Sequence, residues 1–133
     1  MLAAGCSDNA VGNAIPKAFE QRTSLPTCGD VDHTTLGRPA TRPEHTAATD
    51  CLLSAAANSG KAELYQTLQG VEGRIDQWLR VDGTDREMFM LAPRSDGKRL
   101  WSRWRCTGIE SLNTFEADTA RAGVLGCAGM VKV

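Results

Sequence analysis

From Gly60 onward, apolar and polar residues alternate in four successive segments. Ala62, Leu64, Gln66 and Leu68 share one face of the first; Ile75, Gln77, Leu79 and Val81 share a face of the second, with Trp78 and Arg80 opposite. A third segment runs from Arg86 to Ala92, and in the fourth Leu100, Ser102, Trp104 and Cys106 alternate with Trp101, Arg103 and Arg105. A period of two is the signature of a strand with distinct faces. The separators, Val71 to Arg74, Asp82 to Asp85 and Pro93 to Lys98, carry the Asp-Gly and other Gly-containing turns that hairpins favour. Ahead of them a helix is predicted from Thr41. Thr41 and Glu44 form a capping box, Pro43 falls in the first turn, and Gly60 is the stop. Ala48, Cys51, Leu52, Ala55 and Ala56 then line a small-residue face suited to lying close on a sheet. Asn113 and Glu116 form a second capping box, which predicts a short helix to Ala122, anchored by Phe115 and followed by Gly123. The fold class expected is α+β: one main N-terminal helix packed on an antiparallel sheet of about four strands, stapled by disulfides.

Composition makes the staples necessary. Leu, Val, Ile and Phe together supply 25 of 133 residues, a fraction at which a highly charged chain would stay disordered. Here 15 Lys and Arg face 16 Asp and Glu, for a net charge of −1. A thin, cross-linked core is the expectation, and the near-neutral balance excludes a general nucleic-acid binder. No run of 18 apolar residues is present to span a membrane.

Apart from Cys6, the chain has Cys28, Cys51, Cys106 and Cys127. An even number in a small domain poor in large side chains favours two disulfides and a place outside the cytoplasm. No CxxC or CxxH pair suggests zinc, and neither a metal nor a cofactor is expected. Of the three connectivities, Cys28 with Cys51 and Cys106 with Cys127 closes two short loops and is favoured. Cys51 with Cys106, leaving Cys28 with Cys127, would instead tie the helix to the last strand.

Leu2-Ala3-Ala4-Gly5-Cys6 resembles the lipobox of bacterial lipoproteins, in which the Cys is diacylated and becomes the mature N-terminus. The resemblance implies attachment to the membrane through a lipid anchor on Cys6, made stable by two or three acyl chains at about 0.8 kcal/mol per buried methylene. Such signals carry a charged and an apolar region upstream. Only five residues precede Cys6, so a start further upstream, or a fragment, is expected. The organisation read from this is a lipobox remnant over 1–6, a flexible tether over 7–27 and a single domain over 28–133. Ile15 to Phe19 is an apolar cluster within the tether, placed to dock on the domain or form one helical turn. Cys51-Leu52-Leu53, Gly60 to Leu64, Val71-Glu72-Gly73 and Trp104 to Gly108 together resemble small secreted domains of actinobacterial lipoproteins with no assigned activity. That likeness supports location and fold, and implies no catalytic residues. The ratio of 11 Arg to 4 Lys agrees with a high-GC source.

Little in the chain suggests chemistry. Gly29 to His33 reads as a polar surface loop rather than a metal site, and Asp82 and Asp85 flank Gly83 as turn residues. No spacing selects an acid pair among Glu63, Glu72, Asp76 and Glu87. Neither His33 nor His45 has the context of a base beside a nucleophilic Cys. The GxGxxG, P-loop, HExxH and GxSxG templates are missing. What remains is Lys98 to Arg105, which as a strand puts Trp101, Arg103 and Arg105 on one side. That would be a basic face with an aromatic platform for an anionic polymer, a sugar acid or a peptide carboxylate; the plainer alternative is a solvated strand face. Trp104 is then expected in the core and Trp101 at least partly exposed. The function expected is a tethered extracytoplasmic binding or interaction module, for an anionic envelope component or a protein partner, rather than a catalyst. Two rivals are an inhibitor presenting the Asp82–Arg86 or Arg94–Lys98 hairpin to an extracellular hydrolase, and an enzyme working on envelope material in a polar cleft. The sequence does not set an oligomeric state.

Overall fold

The computed structural model describes residues 15–34, 42–114 and 119–132. In chain order the elements are α1 (Lys17–Glu20), β1 (Thr27–Asp32), α2 (Arg42–Ala57), β2 (Lys61–Gly70), β3 (Gly73–Asp82), β4 (Asp85–Pro93), β5 (Arg99–Cys106), β6 (Gly108–Thr114), β7 (Thr119–Leu125) and β8 (Ala128–Lys132). Six of the strands form one sheet in the order β1-β2-β3-β4-β5-β8, and β6 pairs with β7 as a separate hairpin. The chain is therefore mostly β. This corrects the expected α+β fold of one leading helix on about four strands: the helix lies between two strands, and the sheet is larger.

Both additions have physical reasons for escaping a reading by alternation. β1 buries one side chain, Val31, so Gly29 to His33 reads as a polar loop although Thr27 to Asp32 is a strand. It runs parallel to β2, with α2 as the crossover that parallel pairing requires. The helix predicted from Asn113 to Ala122 is also overturned, because Gly108–Thr114 and Thr119–Leu125 pair as antiparallel strands. Ile109, Thr114, Thr119 and Val124 are β-branched and fit a pleated surface better than a helix. Phe115 and Glu116 lie outside the described residues.

β2 to β5 form the expected meander, joined by two-residue turns at Val71-Glu72 and Gly83-Thr84 and by the longer turn after Pro93. Gly83 takes φ +66°, a left-handed conformation in which an L side chain is strained. The apolar alternation of these strands faces α2. Leu52 and Ala48 pack with Leu64, Leu79, Val81 and Met88, and Ala122 of β7 closes the same core. The helix ends through Ser59, at φ +50°, and a hydrogen bond from the Gly60 amide to the Ala55 carbonyl at 2.8 Å. Thr41 lies outside the described residues.

The disulfides are Cys28–Cys51 and Cys106–Cys127. The first ties β1 to the crossover helix. The second closes the loop that contains the β6–β7 hairpin. Two closed bridges belong to a chain that matures in an oxidising, extracytoplasmic compartment.

His33 and His45, the chain's two histidines, meet where β1 ends and α2 begins, with ring centroids 4.4 Å apart and His45 buried. Burial, then the positive charges of His45 and Arg121, bring the His33 pKa down to about 4 from 6.5, against opposing effects of Gln66 and Asp32. As pH falls from about 6.5 towards 4 the unfolded chain takes up a proton that the folded chain refuses, so stability declines over that window. The full shift corresponds to about 3 kcal/mol, and partial exposure of His33 reduces the expected loss to about 1–2 kcal/mol. Urea midpoints at pH 7 and 5 should differ for the wild type, and the difference should largely vanish in His33→Gln. An equal drop in both would assign it to other groups.

Candidate functional site

The second face of the sheet, turned away from α2, carries charge in register. Glu63, Arg80, Glu87 and Arg105 stand directly across β2, β3, β4 and β5, so opposite charges alternate from strand to strand. Tyr65, Trp78, Phe89 and Arg103 form the next row, and Thr67, Asp76, Leu91 and Trp101 the one after.

A strap formed by residues 15–26 crosses this face. Pro16 precedes α1 with φ −72°, and α1 places Phe19 among the rings of Trp78, Phe89 and Trp101, at centroid distances of 4.6, 5.3 and 4.7 Å. Of the apolar run Ile15 to Phe19, Lys17 to Phe19 enter the helical turn and Phe19 docks, whereas Ile15 stays exposed. Trp101 is consequently only 5% exposed, which corrects the expectation of an open aromatic platform. Trp104 does point to the opposite side and packs against the α2 core, but only partly buried, with Nε1 donating to Ser102 Oγ at 3.1 Å. The alternation separates the two faces correctly; neither is bare, because the strap covers the one that would otherwise be solvated.

Three residues after Phe19, Arg22 donates to both oxygens of Glu63 at 2.9 and 3.2 Å, its guanidinium 3.8 Å from the Phe19 ring centroid. Arg80, almost fully buried, bridges Glu63 and Glu87 and donates to the Thr23 carbonyl at 2.7 Å, which pins the strap. Arg103 in turn donates to Glu87 Oε1 from Nε at 3.0 Å, with its guanidinium over the Phe89 ring. The result is an unbroken row, Arg22–Glu63–Arg80–Glu87–Arg103. Burial alone would raise the Glu63 pKa, but the hydrogen bonds and charges of Arg22 and Arg80 outweigh it and hold the carboxyl below its usual range. Glu63 therefore stays ionised at neutral pH and is unsuited to donating a proton. At the other end of the face, Asp76 accepts from Tyr65, Arg74 and Arg99. There too these bonds overcome the upward push of burial and lower the pKa.

Beside the arginine row lies a cleft of about 470 Å³. Ala18, Gln21, Arg22 and Thr23 of the strap form one wall, Asp82, Thr84 and Asp85 another, and Arg103 and Arg105 of β5 contribute from the sheet. Arg86 reaches the same cleft but is bound to the main-chain carbonyls of Gly83 and Ala56, at 2.8 and 2.7 Å. Arg105 is exposed and makes no hydrogen bond or ion pair among the described residues. Of the site read from the sequence, Arg103 and Arg105 are brought to one cleft, whereas Trp101 lies beneath the strap. Arg22 and Arg80 are the residues that reading missed. The signal for Arg80 was available: two-residue turns set the register that places it between Glu63 and Glu87.

Among the described residues no group of three or more His, Cys, Asp and Glu is arranged to hold a metal, and no helix is long and apolar enough to cross a membrane. Cys6 lies outside the described residues. No protein-family model, curated protein or solved structure matches this chain.

Proposed function

We propose that this chain is an extracytoplasmic lipoprotein, attached to the membrane through acylated Cys6, whose domain binds an anionic component of the cell envelope in the arginine cleft. The observation that carries the reading is Arg105. It stands beside Arg103 in a cleft where Glu87, its cross-strand neighbour, is already shared by Arg80 and Arg103. Arg103 is held by Glu87 on one edge and by the Phe89 ring, so little conformational freedom is lost when it engages an anion. Binding is favoured over catalysis because Glu63 and Glu87, the two carboxylates of the row, serve as partners for arginines. The lipobox resemblance at Leu2 to Cys6 supports the tether.

The variant Arg103→Ala with Arg105→Ala tests the site. Among the described residues Arg105 makes no side-chain hydrogen bond or ion pair, and Arg103 pairs with Glu87 over the Phe89 ring at a partly exposed position, so stability should fall by about 1 kcal/mol or less. Retention on anionic envelope material should be lost.

A further inference from the structure

The donors still available in the cleft define what fits there. Arg80 has Nε, Nη1 and Nη2 bonded to Glu87, Glu63 and the Thr23 carbonyl, and Arg22 has the same three nitrogens bonded to Glu63 and the Phe19 carbonyl, so three of the five donors of each are committed to the fold. Arg103 spends Nε and Nη2 on Glu87, leaving Nη1, and Arg105 keeps its whole fork. Two residues apart on one strand, Arg103 and Arg105 present these free edges on the same face. The balance of charge on this face is also positive. With Lys61, which pairs with Asp82, five cations meet four carboxylates on this face: Arg22, Arg80, Arg103, Arg105 and Lys61 against Glu63, Asp82, Asp85 and Glu87, the Arg86 guanidinium being turned to the Ala56 carbonyl of α2. One positive charge is left over. A carboxylate would match that charge but offers only two acceptor oxygens. A phosphate monoester has three, enough to take the Arg105 fork on two and the Arg103 Nη1 on the third.

The opposite wall is the strap. Phe19 fastens it to the aromatic rings, and Gln21 and Thr23 then face the cleft without Phe19 itself lining it. We infer that the cleft is a phosphoryl-binding subsite, contacted by Arg103 and Arg105 on the sheet and closed by the strap, so that ligand binding and strap docking reinforce each other. This rests on the anion-binding reading and specifies its ligand. The coupling is reciprocal: a ligand held against the strap keeps it docked, and a loosened strap weakens the ligand.

The test uses the full chain and titrates inorganic phosphate, glycerol phosphate and acetate by calorimetry, with hydrogen exchange at residues 17–23 as a second readout. Glycerol phosphate should bind at least tenfold more tightly than acetate, and Arg105→Ala should weaken it tenfold or more. Phe19→Ala, checked for both disulfides and a native circular dichroism spectrum, should weaken it several-fold although its side chain is outside the cleft. Exchange at 17–23 should slow on adding phosphate in the wild type and not in Arg105→Ala. Acetate binding as well as glycerol phosphate would overturn the phosphoryl assignment while leaving an anion site standing. Absence of binding by every anion would overturn both readings. Unchanged affinity in Phe19→Ala with unchanged exchange would overturn the coupling. A phosphoryl group also occurs on lipids, so phosphatidylglycerol vesicles are tested in parallel. Binding of vesicles but not of glycerol phosphate would place recognition at the bilayer surface and overturn the subsite.

Discussion

Reducing both disulfides is expected to unfold the domain, or bring it to the edge of unfolding, at 37 °C. The bridges join residues 23 and 21 positions apart. Loops of that size correspond to about 3 kcal/mol each, against a total of about 5–15 kcal/mol for a domain of this kind. The core supports the larger fractional effect, because its fully buried side chains are few and several of its members are alanines. Each bridge also joins elements that the meander does not hold by itself: β1 to α2, and the end of β5 to the segment between β7 and β8. Melting followed by circular dichroism with and without reductant should show a fall of roughly 10 °C or more per bridge. Loss of Cys106–Cys127 should release the β6–β7 hairpin first, visible as faster hydrogen exchange there. A melting temperature indifferent to reductant would mean that the sheet and helix carry the fold unaided.

The second large effect is expected at Trp101. Buried beneath Phe19 and stacked 5.3 Å from Trp78, it is the floor on which the strap rests. Trp101→Ala should cost about 3–5 kcal/mol, the range for removing a buried large aromatic. Trp104→Ala, on the partly buried opposite side, should cost about half as much, its smaller buried area leaving less to lose. Denaturant titrations of the two variants measure the contrast directly. A greater loss at Trp104 would mean that the strap does not cover the sheet in solution.

Legibility in this chain followed the strength of local pattern. β2 to β5 could be read residue by residue because strict alternation and short Gly-containing turns specify both faces and register. The same alternation separated Trp101 from Trp104, yet it carries no information about what covers a face. That depends on a contact between Phe19 and rings about 60 to 80 positions away. β1 offers one buried residue and draws its stability from pairing with β2, so its six residues look like loop. In β6 and β7 a chance capping box competed with β-branched residues, and tertiary pairing decided the outcome. Arg103 and Arg105 were visible as candidates because they share a strand face. Arg22 was not, because its partner Glu63 lies on β2 and the segment holding it resembles a tether. The disulfide pairing could be favoured from loop length, though spacing alone left the alternatives open.

Anion binding by the cleft is measured by retention of the intact wild-type protein and of the folded Arg103→Ala/Arg105→Ala variant on isolated anionic envelope material across a salt series. Screening weakens any attraction between exposed charges, so both curves should decline with salt. At low salt the wild type should be retained and the variant should not, with melting temperatures within several degrees of each other showing that the loss belongs to the cleft. Equal retention of the two proteins at every salt concentration would contradict it.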